Sequence, residues 1–352
     1  MPDWKDLERQ MERMEKVRMA FGPTKRKAIP VFEDCVNYPT DQVVAMANLA
    51  RKIEGEEYGP GTEEEIRQFQ EMPEKIRPVE NPKPRIYLWE EGKVPTLTQY
   101  TDPADYHYNH GPEFQPYFFE MLLPQDVEPK GAVILCAGGD HGDAVVAEAY
   151  QTALDFNKMG YQCFVLLNRT NHSPWNAKEA GVDAARAVRM VRRDAAKYRI
   201  SPGRIAFAGF SNGGLTGEGL LEYYSGCQKV EDVFPDYQPD ALDEMDATPD
   251  AFLCVYGPRF EGGTFDYQNV EYPPTFFAVG REDTAMDNLN DTVPDLLKHG
   301  VEVEVHTFAG VPHGQAGARI FTGEPKYPSF ELWLPLADAF LQDVYRRKEA
   351  AQ

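Results

Sequence analysis

Eleven residues, Arg204 to Gly214 (RIAFAGFSNGG), constrain this chain more than any other stretch. Ile205 to Gly209 is a short apolar run with a Phe and small residues, the composition of a strand buried on both faces of a parallel sheet. The run leads into Gly209-Phe210-Ser211-Asn212-Gly213-Gly214, which fits the G-x-S-x-G pattern. Beyond it, LTGEGLLEYY places Leu215, Leu220 and Leu221 at helical spacing. A serine on so sharp a strand-to-helix turn sits in cramped backbone and needs small neighbours on both sides. Gly209 and Gly213 supply them. Such a turn lifts the hydroxyl out of the sheet edge and aims the next amide, that of Asn212, at whatever binds there. G-x-S-x-G alone recurs by chance in a chain with 28 glycines. A strand before it and a helix after it make Ser211 a candidate nucleophile rather than an ordinary helix cap.

The same texture runs on either side. RIYLWEE and YFFEMLLP read as strands, followed by GAVILC, YQCFVLL, AFLCVYG, TFFAVG and VEVEVHTFAG. Helices are expected at Ala144–Lys158, Ala177–Tyr198, Asp291–Lys298 and Phe330–Arg346. Strand and helix alternating at this spacing predict an α/β fold, with a mostly parallel sheet covered by helices on both faces and right-handed crossovers. The acidic, Pro-punctuated VEDVFPDYQPDALDEMDATPD is too polar for core and reads as an excursion over the top of the sheet. Ahead of the catalytic body, residues 85–352, residues 1–84 predict a helical arm. Trp4, Leu7, Met11, Met14 and Val17 mark an amphipathic helix over 4–20, and Gln42–Ile53 and Glu63–Glu71 read as further helices. Their apolar stripe offers a face for docking or for homo-oligomerisation.

Composition removes several classes of function. Hydrophobic residues at 42% and aromatics at 12% are ample for a sizeable core in 352 residues. A formal charge of −21 argues against nucleic acid, whose phosphates demand a basic surface, and against an anionic membrane or polyanionic substrate. The N-terminus is charged and lacks the apolar core of a signal peptide, and no apolar run approaches the roughly 18 residues that span a bilayer. The five cysteines form no C-x-x-C pair and read as reduced thiols, so a cytoplasmic setting is expected. His107 and His110 stand three apart in a polar, aromatic loop, but without two further ligands at metal spacing they do not make a zinc site. No metal or organic cofactor is called for.

In an open α/β sheet, ligands bind outside the carboxyl ends of the strands. Four loops lie just past such ends: AGGDHG, GFSNGG, GREDTAM and AGVPHGQ. Between them they hold a Ser, an Asp, a His and several glycines. A serine hydroxyl needs a base within hydrogen-bond reach. His313, alone of the seven histidines, follows the last strand in a Gly/Pro-bordered loop. The imidazole needs an acceptor to hold its tautomer, and Asp283, three residues past TFFAVG, can reach across; adjacent Glu282 could substitute. The order Ser211, Asp283, His313 is that of a nucleophile-elbow enzyme rather than of the two common serine-protease arrangements. Attack on an ester carbonyl creates an oxyanion, for which the Asn212 amide is one donor and Gly138 or Gly139 the other. Asp140 and His141 beside that loop, with Tyr106, Tyr108 and Trp175, are candidates for the mouth of a substrate site, since aromatic faces suit sugar rings.

GFSNGG, GREDT and VPHG in this order, with the AGGDHG loop, resemble the α/β-hydrolase superfamily over about residues 85–346. Within it, PDYQPDALDEMDATPDAFLCVYG resembles a segment of bacterial esterases in the acetylxylan-esterase-like, hormone-sensitive-lipase-related group. The resemblance implies a serine esterase acting on short acyl esters, often acetylated sugars. AGGD stands here where that group carries an HGGG-type loop, and the arm at 1–84 lies outside its pattern. A peptidase or amidase on the same triad, or a binding protein on a hydrolase fold, remain the alternatives at this stage.

Overall fold

The computed structural model describes residues 27–28, 30–54, 62–96, 114–139, 145–169, 177–226, 228–259, 265 and 267–351. The amphipathic stretch 4–20, and Tyr106, His107, Tyr108, His110, Asp140, His141, Trp175 and Cys227, lie outside the described residues. The chain divides into two compact units, Met1–Lys83 with Thr101–Tyr108, and Pro84–Tyr100 with Asn109–Gln352.

The first unit holds helices α1 (Thr40–Glu54) and α2 (Glu63–Lys75). α2 begins where Thr62 and Glu65 form a reciprocal capping box, each side chain taking the other's backbone N–H. It runs on through exposed pairs of Arg67 with Glu64 and Glu71 and of Lys75 with Glu71. Pro73 sits in its last turn. The Asn37 side chain bonds both backbone groups of Lys83, donating to its carbonyl at 2.9 Å and accepting from its N–H at 2.6 Å. That clip holds Lys83, where the first segment of the unit ends, beside Asn37.

In the second unit, eight strands among the described residues form one sheet in the order β1-β2-β4-β3-β5-β6-β7-β8. They are β1 (Ile86–Tyr87), β2 (Tyr117–Met121), β3 (Gly131–Cys136), β4 (Tyr161–Leu167), β5 (Ile205–Phe210), β6 (Ala251–Val255), β7 (Thr275–Gly280) and β8 (Val303–Phe308). β2 pairs antiparallel with both β1 and β4, and every pairing from β4 through β3 and β5 to β8 is parallel. Every residue of β3 to β7 is buried, as continuous apolar runs covered on both faces must be. Each large side chain among them contributes roughly 1.5–3 kcal/mol by leaving water. β8 is the edge, and its His306 and Glu304 bond one another there. RIYLWEE, expected as a full strand, is strand only at Ile86–Tyr87. Trp89 turns inward instead, its indole N–H donating to buried Asp183 at 3.0 Å.

The covering helices are α3 (Val146–Lys158), α4 (Lys178–Arg193), α5 (Asn212–Tyr224), the short α6 (Val230–Val233), α7 (Ala285–Lys298), the short α8 (Arg319–Thr322) and α9 (Trp333–Ala350). α4 and α5 approach closely where Gly181 meets Gly219: a Cβ on Gly181 would stand 2.7 Å from the Gly219 backbone. Strand order reverses around β3, with β4 on one side and β5 on the other, which makes the carboxyl ends of β3 and β5 the switch point where ligands bind in such sheets.

The acidic segment after α5 does not pass over the top of the sheet. It lies along α4, where Arg186 pairs with Asp240 and Asp243, Arg189 with Asp243, and Arg192 with Asp250. Asp250 accepts the N–H of Ile205, the first residue of β5, at 3.0 Å, which puts the end of the segment at the amino ends of the strands. The reason is directional. α5 starts at the carboxyl end of β5 and runs down the sheet, and β6 must start at the bottom, so the connection has no call to visit the top.

Candidate active site

β5 delivers Ser211 at its carboxyl end, and Asn212 opens α5. Ser211 holds φ 50° and ψ −119°, outside the regions open to a side-chain-bearing residue, a strain worth about 1–3 kcal/mol. The turn closes only because its flanks lack side chains: a Cβ on Gly209 would stand 2.3 Å from the Gly213 carbonyl oxygen, and one on Gly213 would stand 2.1 Å from that of Cys136. The Ser211 N–H donates to the Val255 carbonyl at 3.0 Å, fixing the turn to β6.

Two other strand ends supply its neighbours. His313, in the loop after β8, has Nε2 2.8 Å from Ser211 Oγ and Nδ1 2.8 Å from Asp283 Oδ2. Asp283, three residues past β7, has a fully buried side chain, and its second oxygen accepts the Ala285 N–H at 2.8 Å. An ionised carboxylate only accepts, so Nδ1 carries the proton and Nε2 presents its lone pair to the serine hydroxyl. Burial opposes a charge on His313, but the hydrogen bond and charge of Asp283, with the charge of Glu148, outweigh it and raise its pKa above 6.5. Glu282, the substitute for Asp283 on sequence grounds, is exposed. His299 lies elsewhere, stacked on Tyr267.

The loop after β3 requires a correction. The Gly138 N–H is committed to Glu148 Oε2 at 2.7 Å, so it is not free to hold an oxyanion. Gly139 follows at φ 155°, a conformation side chains rarely adopt. Asn212 stands at the first position of α5, where a helix leaves its amides without an intrahelical partner.

Glu148 and Tyr256 went unnoticed in the sequence. Glu148 reads as one more polar residue at the start of a helix, and Tyr256 as the end of a strand. Tyr256 holds φ 39°, donates its hydroxyl to Glu148 Oε1, accepts the Ala316 N–H at 3.2 Å, and sets its ring 5.0 Å from that of His313. Burial pushes Glu148 up to about 7, against the hydrogen bonds of Tyr256 and Gly138 and the nearby imidazole, which pull it down. Among the described residues, no group of three or more His, Cys, Asp or Glu side chains is arranged to hold a metal ion.

Proteins of known structure share this fold. The acetyl ester-xyloside bifunctional hydrolase of Caldicellulosiruptor lactoaceticus superposes with a TM-score of 0.57 at 23% identity, over 74% of this chain and 96% of that one. MGS-M1, an α/β hydrolase from a Medee basin deep-sea metagenome library, gives 0.53 at 19%, over 74% and 97%. This chain has the α/β-hydrolase fold. A thermophilic esterase of Thermogutta terrifontis, solved with propionate bound, shares the hydrolase fold at a TM-score of 0.51 and 19% identity, over 66% of this chain and 90% of that one. The fold expected from GFSNGG, GREDT and VPHG is the one these structures share. In sequence, endo-1,4-β-xylanase B of Butyrivibrio fibrisolvens is 27% identical over 155 residues, 43% of this chain. The match spans only 23% of that protein's length. No family model matches the chain. No helix among the described residues is long and apolar enough to cross a membrane.

Proposed function

We propose that this chain is a carboxylic-ester hydrolase that works through an acyl-enzyme intermediate on short acyl esters, acetyl esters of carbohydrates foremost. One observation carries the proposal: the unbroken hydrogen-bonded line from Ser211 through His313 to buried Asp283, started by a serine in strained backbone. His313 takes the Ser211 proton at Nε2 as Oγ attacks the acyl carbon. The amides of Asn212 and Gly139 receive the oxyanion. His313 then hands the proton to the leaving alkoxide and the alcohol departs; a water deprotonated by the same nitrogen attacks the acyl-enzyme, the bond to Oγ breaks, and Nε2 returns the proton to Ser211 as the acid leaves. Asp283 fixes the tautomer and stabilises the imidazolium. The preference for acetylated sugars is supported by the acetyl ester-xyloside hydrolase among the structural counterparts and by the partial match to a xylanase.

Replacing Ser211 by Ala should lower p-nitrophenyl acetate hydrolysis by about 10³-fold or more and abolish labelling by a fluorophosphonate. Full activity in Ser211→Ala would overturn the assignment. A wild type that neither labels nor cleaves esters would return the chain to the binding-protein reading, and one that labels without cleaving esters would favour the peptidase or amidase.

A further inference from the structure

Resting on the proposed esterase activity, we propose that Glu148 is a positioning residue, whose two carboxylate oxygens tie the loop after β3 and, through Tyr256, the His313 loop into one frame around Ser211. Two segments past strand ends meet on this side chain, and a third joins them through Tyr256. From β3, the Gly138 N–H donates to Oε2 at 2.7 Å. From β6, the Tyr256 hydroxyl donates to Oε1. From β8, the Ala316 N–H donates to the same hydroxyl at 3.2 Å, three residues past His313. The Tyr256 ring meets the His313 ring edge-on, 5.0 Å between centroids and 63° between planes. Glu148 is 6% exposed and Tyr256 1%, so water does not compete for these bonds.

Chemistry requires a carboxylate at this position. The Gly138 N–H can only donate and the Tyr256 hydroxyl donates here, so a carboxylate offers an acceptor to each. A glutamine of the same shape keeps one acceptor and turns its NH₂ toward the other group, which forces the Tyr256 hydroxyl to give up its donor role. Because the Gly138 N–H is held inward, the chain leaves that bond into Gly139, the remaining glycine of the loop proposed to receive the oxyanion. The charge also lies beside the imidazole. Among the described residues, Tyr256, His313 and Cys136 face Glu148, while Asp283 faces both His313 and Tyr256. Glu148 thus joins Asp283 in favouring the imidazolium formed during reaction.

Three variants test this by steady-state kinetics across pH. Glu148→Gln should lower kcat by about 10- to 100-fold while KM stays within about twofold, since the lost tie acts on the reacting geometry and not on binding. Its acid limb should move to lower pH, because removing an anion from beside His313 makes the imidazole easier to deprotonate. Tyr256→Phe breaks the tie and removes a hydrogen bond that favours the Glu148 charge, so kcat should fall and the acid limb should move the same way as in Glu148→Gln. The double variant should be no worse than the poorer single one, as links of one chain fail together. Should Glu148→Gln not fold, Tyr256→Phe with an unchanged melting temperature carries the same kcat test. Wild-type kcat and an unmoved limb in Glu148→Gln, or losses that multiply in the double variant, overturn the role of Glu148 while Ser211→Ala still upholds the esterase. A wild type that neither hydrolyses esters nor labels overturns both.

Discussion

Asp283 owes its influence to burial. Its carboxylate sees His313 on one oxygen and the Ala285 amide on the other, with no water to screen the interaction. Asp283→Asn preserves the shape but presents an amide that can turn its NH₂ to Nδ1 and reverse the tautomer. We expect kcat to fall by about 10³–10⁴-fold. The pH dependence follows from the same contact. The neutral imidazole is the working form, and its pKa in the folded chain is raised, so activity is lost as pH falls through a midpoint above 6.5. In Asp283→Asn that midpoint should move to lower pH, which a kcat/KM profile between pH 5 and 9 will register; an unmoved limb would assign it to another group. The residues Ser211, Asp283 and His313 were legible in the sequence because each sits just past an apolar strand, a position that pattern alone can locate. Gly138 was misassigned because nothing in AGGD says which of its amides a distant carboxylate will claim.

At the scale of elements, the arginine row of α4 does what a covering helix usually leaves to apolar contact. Arg186, Arg189 and Arg192, three residues apart, lie on one face and gather an acidic segment that could not enter the core. Asp250 is the last link, joining Arg192, Lys348 of α9 and the N–H of Ile205. Asp250→Ala strands that buried amide and should cost about 1–3 kcal/mol in urea unfolding, with kcat retained because the link lies at the opposite end of the strands from Ser211. Loss of activity without loss of stability would contradict this placement. The misplacement of the acidic segment has the same origin. Polarity shows that it is not core, but which end of the sheet it serves depends on the direction of α5, and on arginines some fifty residues earlier in the chain.

Over the whole molecule, the net charge of −21 sets a field that acts before any contact is made. Anionic esters should be disfavoured relative to neutral ones of the same acyl group at low salt. The ratio of their kcat/KM values should rise toward unity as ionic strength shortens the screening length to about 10 Å at 0.1 M and below. A ratio insensitive to salt would mean that local groups at the mouth, and not the global field, set the preference.

By itself the amino-acid sequence determined the layered α/β architecture, since an apolar run long enough for a strand, followed by an amphipathic helix, has few other ways to bury its surface. It also located the serine, the aspartate and the histidine that meet beyond three strand ends, the serine because its tight turn needs Gly209 and Gly213 beside it. Tertiary structure alone decided how the segments after β3 and β6 share one buried carboxylate, and how the segment after β8 joins them through Tyr256. Glu148, Tyr256, His313 and Ala316 are separated by up to 168 positions, and such contacts depend on register and direction across the sheet, which no local pattern carries.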